Sequence, residues 1–161
     1  MLTKTSLLGI RILVLLGQSP PRTCLPPRQL AEALGESPTY SSKVCRMLVR
    51  AGILRALKGI KGGVWLNRQA AEVSLLAVVE ACQGAIAGDY CNGDIDLAEV
   101  CAFHKAALEL YEAVKAVLSR WTLADLLARP HPAGETGEAA SCVMLTRRAP
   151  SQPPEPFATL A

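Results

Sequence analysis

The alternation of apolar and polar positions first indicates a helix in residues 7–17. Four apolar residues there form a stripe at helical spacing: Leu8, Ile12, Leu15 and Leu16. The alternative is the apolar region of a signal peptide, but Arg11 interrupts the run, which is also too short to span a membrane. The sequence therefore predicts an amphipathic core helix with no membrane contact. We expect a cytoplasmic protein whose six cysteines stay reduced.

Residues 25–52 contain two further helical patterns, each with its own start and stop signals. The first follows Pro26-Pro27 and ends at Gly35, which suits the left-handed conformation of a helix C-terminus. The second begins with Ser37 as its N-cap and Pro38 in its first turn. Its apolar residues recur at three- and four-residue intervals: Tyr40, Val44, Met47 or Leu48, and Ala51. Two short helices joined by a tight turn predict a helix-turn-helix, whose second helix meets base edges in the major groove of DNA.

A β-hairpin is predicted directly after the second of these helices. Residues 53–57 alternate like a short strand, residues 58–63 are basic and glycine-rich, and residues 64–66 have the composition of a return strand. Such a hairpin after a recognition helix is typical of the wing of a winged helix, and its glycines permit close approach to DNA phosphates.

The sequence of the second half of the chain predicts a short connecting helix followed by a long helix. Ser74 precedes an apolar segment that ends near Gly84, and Asp96 with Glu99 matches a capping-box spacing at the start of a helix over residues 97–121. Within this helix the apolar residues follow heptad spacing: Phe103, Ala107, Leu110, Val114, Val117 and Trp121. The seam suggests a homodimer formed through this helix, with packing inside the monomer as the alternative.

These elements predict a mostly α fold: a winged helix-turn-helix with a small β-hairpin wing and a long C-terminal dimerisation helix. We divide the chain into a DNA-binding domain (residues 1–84), a sensor loop and dimerisation helix (residues 85–128), and a disordered tail (residues 129–161). The tail is rich in Pro, Gly, Ser and Glu without sustained apolar periodicity.

Charge is distributed very unevenly along this chain. Residues 1–70 hold eleven Lys/Arg and two Asp/Glu, whereas residues 71–161 hold six and twelve. A basic half of this kind favours a polyanionic partner such as double-stranded DNA, although an ordinary helix pair with a solvated basic face is the alternative. We predict DNA contacts from the second helix and the wing: Thr39, Tyr40, Ser41, Ser42, Lys43, Arg46, Arg50, Lys58, Gly59 and Lys61.

Taken in order, residues 2–128 resemble the Rrf-two family of bacterial winged-helix transcription regulators. The resemblance is carried by short segments spread along the chain: Leu2-Thr3, Ile10-Arg11, Gln29-Leu30-Ala31-Glu32, Ser37-Pro38, Arg50-Ala51-Gly52-Ile53-Leu54, the wing glycines Gly59 and Gly62-Gly63, and Thr122-Leu123-Ala124-Asp125-Leu126. It implies a homodimeric DNA-binding regulator, commonly a repressor, whose long helix makes the dimer.

The resemblance also implies a sensor, because many members hold an iron–sulfur cluster with three cysteines just before and at the start of that helix. Here the segment offers Cys91, Cys101 and His104, and the family's middle cysteine is missing. A fourth ligand, for instance to a two-iron, two-sulfur cluster, would come from Asp94 or Asp96. Thiolates with an imidazole also suit zinc or copper. Sensing by thiols or another metal, and a loop with merely structural cysteines, stay open.

An enzyme is the weakest of the functional classes. The chain has no Cys-x-x-Cys, no glycine-rich nucleotide loop between a strand and a helix, and no paired His/Asp set for acid–base catalysis. A winged-helix interaction protein that has lost its ligand is a further alternative. The leading prediction is a regulator that responds to redox, nitric oxide or iron–sulfur status.

Overall fold

A computed structural model of the protein describes residues 2–59, 62–86, 100–130 and 142–144. The described part is mostly helical with one antiparallel hairpin, as predicted. In chain order the elements are α1 (Lys4–Gly17), α2 (Pro27–Leu34), α3 (Pro38–Arg50), β1 (Leu54–Leu57), β2 (Gly63–Leu66), a 3-10 turn (Ala70–Glu72), α4 (Leu75–Gln83), α5 (Ala102–Arg120) and α6 (Leu123–Ala128).

Helix α1 lies at the centre of the core and contacts α2, α3, α4, α6 and β2. It is the predicted first helix, and it is buried on more than one side because several other elements pack against it. At Gly9 an added Cβ would lie 2.8 Å from Cys82 Sγ, and at Gly17 it would lie 2.6 Å from Leu127 Cδ1. Glycine at these two positions therefore permits the close packing of α4 and α6 against α1.

Helices α2 and α3 form the predicted helix-turn-helix. Gly35 ends α2 with a φ of 68°, and the Glu36 N–H donates to Ala31 O over 2.9 Å, which satisfies a carbonyl of the last turn. Ser37 Oγ then accepts from the Tyr40 N–H at the start of α3. The turn positions were thus predicted correctly from local signals.

The hairpin pairs Leu54 with Leu66 at its base and Leu57 with Gly63 near its tip. Leu25 adds a single antiparallel bridge to Val64 on the outer side of β2. Gly63 is required here, since an added Cβ would lie 2.6 Å from the Leu25 carbonyl. The wing is therefore anchored to the segment that leads into α2.

Helix α5 begins later than the predicted residue 97. Cys101 is its N-cap, with extended backbone angles (φ −65°, ψ 160°), and the preceding Val100 lies in a bend. The capping box predicted from Asp96 and Glu99 is therefore not the start of α5, and both acids lie outside the described residues. The extended backbone at residue 101 cannot belong to a continuous helix.

At its other end α5 is tied back to the core. The Leu75 N–H donates to Trp121 O and the Leu123 N–H donates to Val73 O, each over 2.8 Å. Thr122 and Asp125 form a capping box at the start of α6, and the hydrogen bonds from Thr122 hold the pKa of the Asp125 carboxyl below its usual range.

Beyond α6 the structure describes only residues 129–130 and 142–144. Cys142–Met144 form a short turn whose Met144 packs against the hydrophobic core. The remainder of the predicted tail, including His131, lies outside the described residues.

Candidate DNA-binding surface and sensor segment

Helix α3 turns one face to the core and the other outward. Val44, Cys45 and Leu48 are buried against the rest of the domain. Opposite them the exposed side chains include three cations: Lys43, Arg46 and Arg50. Within the described residues none of these cations is paired with a carboxylate. An exposed helix that presents three uncompensated cations is suited to the phosphates that line the major groove.

Residues 39–42, which follow Pro38 in the first turns of α3, lie in different environments. Thr39 is exposed, and Tyr40 and Ser42 are partly buried. Ser41, which we predicted to contact DNA, is instead fully buried, and that prediction is wrong. The inner face follows residues 41, 44, 45 and 48, which are also three and four apart, and the small serine side chain fits there. Ser41 Oγ has no hydrogen-bond partner among the described residues and is not presented to DNA.

Two residues of α1, neither of which we singled out for this surface, position the helix-turn-helix. Thr5 Oγ1 lies 3.0 Å from the Tyr40 hydroxyl and so links α1 to the first turn of α3. Arg11 Nη2 donates to Leu34 O over 3.0 Å at the end of α2, and Arg11 Nη1 lies 3.4 Å from Glu36 Oε1. Arg11 is only 12% exposed and so acts mainly within the fold, where it fixes the turn between α2 and α3.

The wing extends the cationic surface. Arg55, Lys58 and Gly59 are exposed, while Lys61 lies outside the described residues. Gly59 has a φ of 112°, which side-chain-bearing residues rarely adopt, and Gly62 has no room for a Cβ because it would collide with the Leu57 carbonyl oxygen. The tip of the wing therefore depends on backbone conformations that only glycine allows.

The structure describes two of the proposed metal ligands. Cys101 is exposed at the N-terminus of α5, and His104 is buried one turn later with 6% of its surface accessible. Cys91, Asp94 and Asp96 lie outside the described residues. The part of the chain that is described holds no cluster of three or more metal-binding side chains.

Three other cysteines are buried in the core. Cys45 and Cys82 lie on helices, as predicted, and burial raises the pKa of both thiols to about 11, from an ordinary value of 9.0. Burial also raises the pKa of Cys24. All five cysteines of the described segments are free thiols. The buried thiols are poor nucleophiles because the thiolate is the reactive form.

The predicted seam of α5 leaves large apolar side chains uncovered. Phe103, Leu110, Val117 and Trp121 are between 45% and 66% exposed. Beside them an apolar groove of about 630 Å³ runs between α5, the end of α4 and Leu2. An apolar stripe of about five helical turns that stays exposed in the single chain is typical of an interaction surface.

A helix-turn-helix followed by a basic glycine-rich wing defines a winged-helix protein that binds DNA and regulates transcription. The chain belongs to the Rrf2 family, described as "Iron-dependent Transcriptional regulator", whose profile matches residues 2–129. The resemblance stated from the sequence is thereby confirmed. The family description and the names of NsrR and CymR below are those of regulators rather than enzymes, in agreement with the sequence prediction. No helix among the described residues is long and apolar enough to cross a membrane.

Two relatives illustrate the sequence similarity. The HTH-type transcriptional repressor NsrR of Streptomyces coelicolor is 31% identical over 80% of this chain and 89% of its own length. Protein aau3 of Rhizobium meliloti is 35% identical over 63% of this chain and 70% of its own length. Among solved structures, the global cysteine regulator CymR of B. subtilis superposes with a TM-score of 0.66 over 80% of this chain and 96% of its own. At 20% identity that likeness concerns the fold.

Proposed function

We propose that this protein is a homodimeric transcription repressor that binds promoter DNA through α3 and the wing. The observation that carries the proposal is the row of exposed, uncompensated cations on α3 beside the basic wing. Lys43, Arg46 and Arg50 contact phosphates or base edges, with Thr39, Tyr40 and Ser42 at the entry of the helix into the groove. Lys58, Gly59 and Lys61 contact the neighbouring backbone.

The dimer forms through α5. Burying Phe103, Leu110 and Val117 against the same residues of a second copy removes apolar surface from water, and a two-fold axis makes one stripe complementary to itself. Two copies then present two α3 helices to successive turns of the duplex, as other helix-turn-helix dimers do.

The sensor is the segment that leads into α5. Cys91, Cys101 and His104 hold an iron–sulfur cluster, for example a two-iron, two-sulfur cluster, with Asp94 or Asp96 as the fourth ligand. Of these ligands, Cys101 and His104 lie one turn apart at the start of α5, and the Cys101 thiol is accessible. Thiolates and imidazole are the ligand types that such clusters use. A bound cluster would supply a charge that changes with redox state or is lost with the cluster.

The alternative is a regulator of the same family without a cluster, which senses by thiols, another metal or a partner. The absence of a middle cysteine favours it. In both versions the signal acts beside α5, and a shift of this helix changes the spacing of the two winged helices.

The DNA-binding proposal is tested by fluorescence anisotropy of the full-length protein with duplex DNA from its own promoter region at several salt concentrations. The double variant Lys43→Gln/Arg46→Gln is compared with the control double variant Lys105→Gln/Arg120→Gln. The control removes two exposed charges from α5. Because a dimer loses four cations, we expect the first pair to reduce the salt slope of log Kobs by about 3–4 and the affinity by at least about tenfold. Wild-type protein that shows no salt-dependent binding, or an equal loss in the α5 pair, contradicts the proposal.

The sensor proposal is tested by iron and acid-labile sulfide per chain, with an absorption spectrum, on protein purified without oxygen. Equal, near-stoichiometric iron and sulfide that disappear in Cys91→Ser and Cys101→Ser support the cluster, whereas Cys45→Ser serves as the control. Colourless, iron-free protein from iron-replete cells rejects the cluster and leaves the alternative.

A further inference from the structure

A second cleft, of about 420 Å³, lies at the C-terminal end of α1, well separated in sequence from the sensor segment. Its walls come from the segment after α1, the end of β2 with the loop that follows it, and α6. Leu16, Leu66 and Leu127 give it an apolar lining, and the indole of Trp65 is partly exposed beside them. Its volume falls in the range of about 300–1,000 Å³ that is usual for small-molecule sites.

The charge of this cleft is positive and uncompensated. Arg22 and Arg68 both line it, and no Asp or Glu does. In the described part of the chain no carboxylate lies within 4 Å of either guanidinium. Glu72, which is close in sequence, accepts from the Gln69 N–H as part of a capping box. Two guanidinium groups at the rim of an apolar cleft attract an anion and offer it fork-shaped donors.

The backbone at Arg22 is set by a β-turn. Its φ of 61° is the only positive φ at a non-glycine residue in the described segments. The Thr23 N–H donates to Pro20 O over 3.0 Å, so Arg22 is the third residue of the turn, where a type II turn requires a positive φ. This turn fixes Arg22 in the wall of the cleft.

We propose that this cleft binds a small organic anion, namely a carboxylate with a flat apolar body. The carboxylate lies between Arg22 and Arg68, and the apolar body stacks on Trp65 above the leucine lining. The site also touches both DNA-reading elements. Trp65 and Leu66 belong to the wing. The Arg68 guanidinium lies close to the end of α3, since a Cβ built at Gly52 would be 3.5 Å from Arg68 Nη2. An occupant is therefore positioned to influence DNA affinity without involvement of the sensor segment.

The test uses two fluorescent probes of nearly the same shape, 1-anilinonaphthalene-8-sulfonate, which is anionic, and N-phenyl-1-naphthylamine, which is its neutral counterpart. Each is titrated into the full-length wild-type protein, the double variant Arg22→Gln/Arg68→Gln, and the control double variant Lys105→Gln/Arg120→Gln on α5. The control removes two exposed charges elsewhere. Circular dichroism verifies that all three proteins are folded.

We expect the cleft variant to bind the anionic probe about tenfold more weakly, with less than a twofold change for the neutral probe and for the control variant. Displacement of the anionic probe by phenylacetate but not by phenylacetamide would further support a carboxylate site. An unchanged affinity of the cleft variant, or an equal loss in the control, overturns the proposal. A lower salt slope of promoter binding in the cleft variant also overturns it, because the two arginines would then contact DNA phosphates.

Discussion

The hydroxyl groups of Tyr40 and Thr5 lie 3.0 Å apart and join the first turn of the recognition helix to α1. Tyr40 was selected from the sequence as a DNA contact, but its hydroxyl already has a partner inside the fold. A hydrogen bond of this type stabilises a protein by about 0.5–1.5 kcal/mol. Its larger effect is on geometry, since it holds the first turn of α3 against α1.

Tyr40→Phe and Thr5→Val should therefore have equivalent effects. We expect each variant to lower the free energy of unfolding by about 0.5–1.5 kcal/mol, and the double variant to cost little more than one of them. Promoter affinity should fall by the same factor in both. Urea unfolding and anisotropy measure the two quantities. If Tyr40→Phe weakens DNA binding while Thr5→Val does not, the hydroxyl contacts DNA directly.

The helix ends of the helix-turn-helix follow from local sequence signals, whereas the contacts that hold α3 in place do not. This difference shows how much of the candidate site the sequence determines. Gly35, Ser37 and Pro38 are local signals of helix ends, so the helix-turn-helix was predicted with its turn in place. The contact of Arg11 with Leu34 joins residues 23 apart in the chain, and no periodicity predicts it. Ser41 was misplaced because two overlapping sets of positions on α3 follow helical spacing, and the packing of α1, α2, α4 and β1 against α3 selects between them.

The start of α5 illustrates a different difficulty. Asp96 and Glu99 match the spacing of a capping box as well as Thr122 and Asp125 do, yet α5 begins at Ala102. A capping pattern indicates that a helix is able to start at a residue, whereas the surrounding tertiary structure decides whether it does. The seam of α5 was predicted more securely because it rests on six positions rather than two.

Gly9 and Cys82 provide a test of the packing between α1 and α4. Alanine favours a helix interior by about 0.5–1 kcal/mol over glycine, but a Cβ at Gly9 would lie 2.8 Å from the Cys82 sulfur. We expect Gly9→Ala to lower the free energy of unfolding by about 1–3 kcal/mol, as overpacking does. Cys82→Ala in the same chain should restore most of that loss.

Urea unfolding of the two single variants and the double variant measures this coupling. Gly9→Ala with Cys24→Ala is the control, because Cys24 is also buried but is not among the atoms nearest to Gly9. If Cys24→Ala restores the free energy of unfolding lost in Gly9→Ala as completely as Cys82→Ala does, the loss does not arise from the contact between Gly9 and Cys82.

The raised pKa of Cys45 and Cys82 predicts a loss of stability in alkaline solution. In the unfolded chain these thiols ionise near their ordinary pKa of 9.0, and in the folded protein near 11. The stabilisation is therefore complete below pH 9 and is lost as the pH rises towards 11. At pH 10 we expect a loss of roughly 1 kcal/mol for each thiol.

The measurement is urea unfolding at pH 8 and pH 10 of the wild-type protein and of Cys45→Ala with Cys82→Ala. Other groups that titrate in this range are common to both proteins, so the difference between the two pH dependences isolates the thiols. We expect the double variant to lose less stability between the two pH values than the wild type. Equal losses would mean that the two thiols ionise alike in the folded and unfolded chain.

Leu110 lies in the middle of the exposed stripe of α5 and is 60% accessible in the single chain. If two copies bury this stripe, Leu110→Glu introduces a pair of like charges into an apolar contact, which costs several kcal/mol per dimer. We expect the variant to sediment as a monomer at micromolar concentrations where the wild type is a dimer. Its promoter affinity should fall steeply, because one winged helix reads only half of a symmetric site.

Leu57→Glu, on the wing, is the control for an exposed leucine outside the stripe and should leave the dimer intact. A dimeric Leu110→Glu variant would place the interface elsewhere, and a monomeric wild type would rule out the proposed assembly.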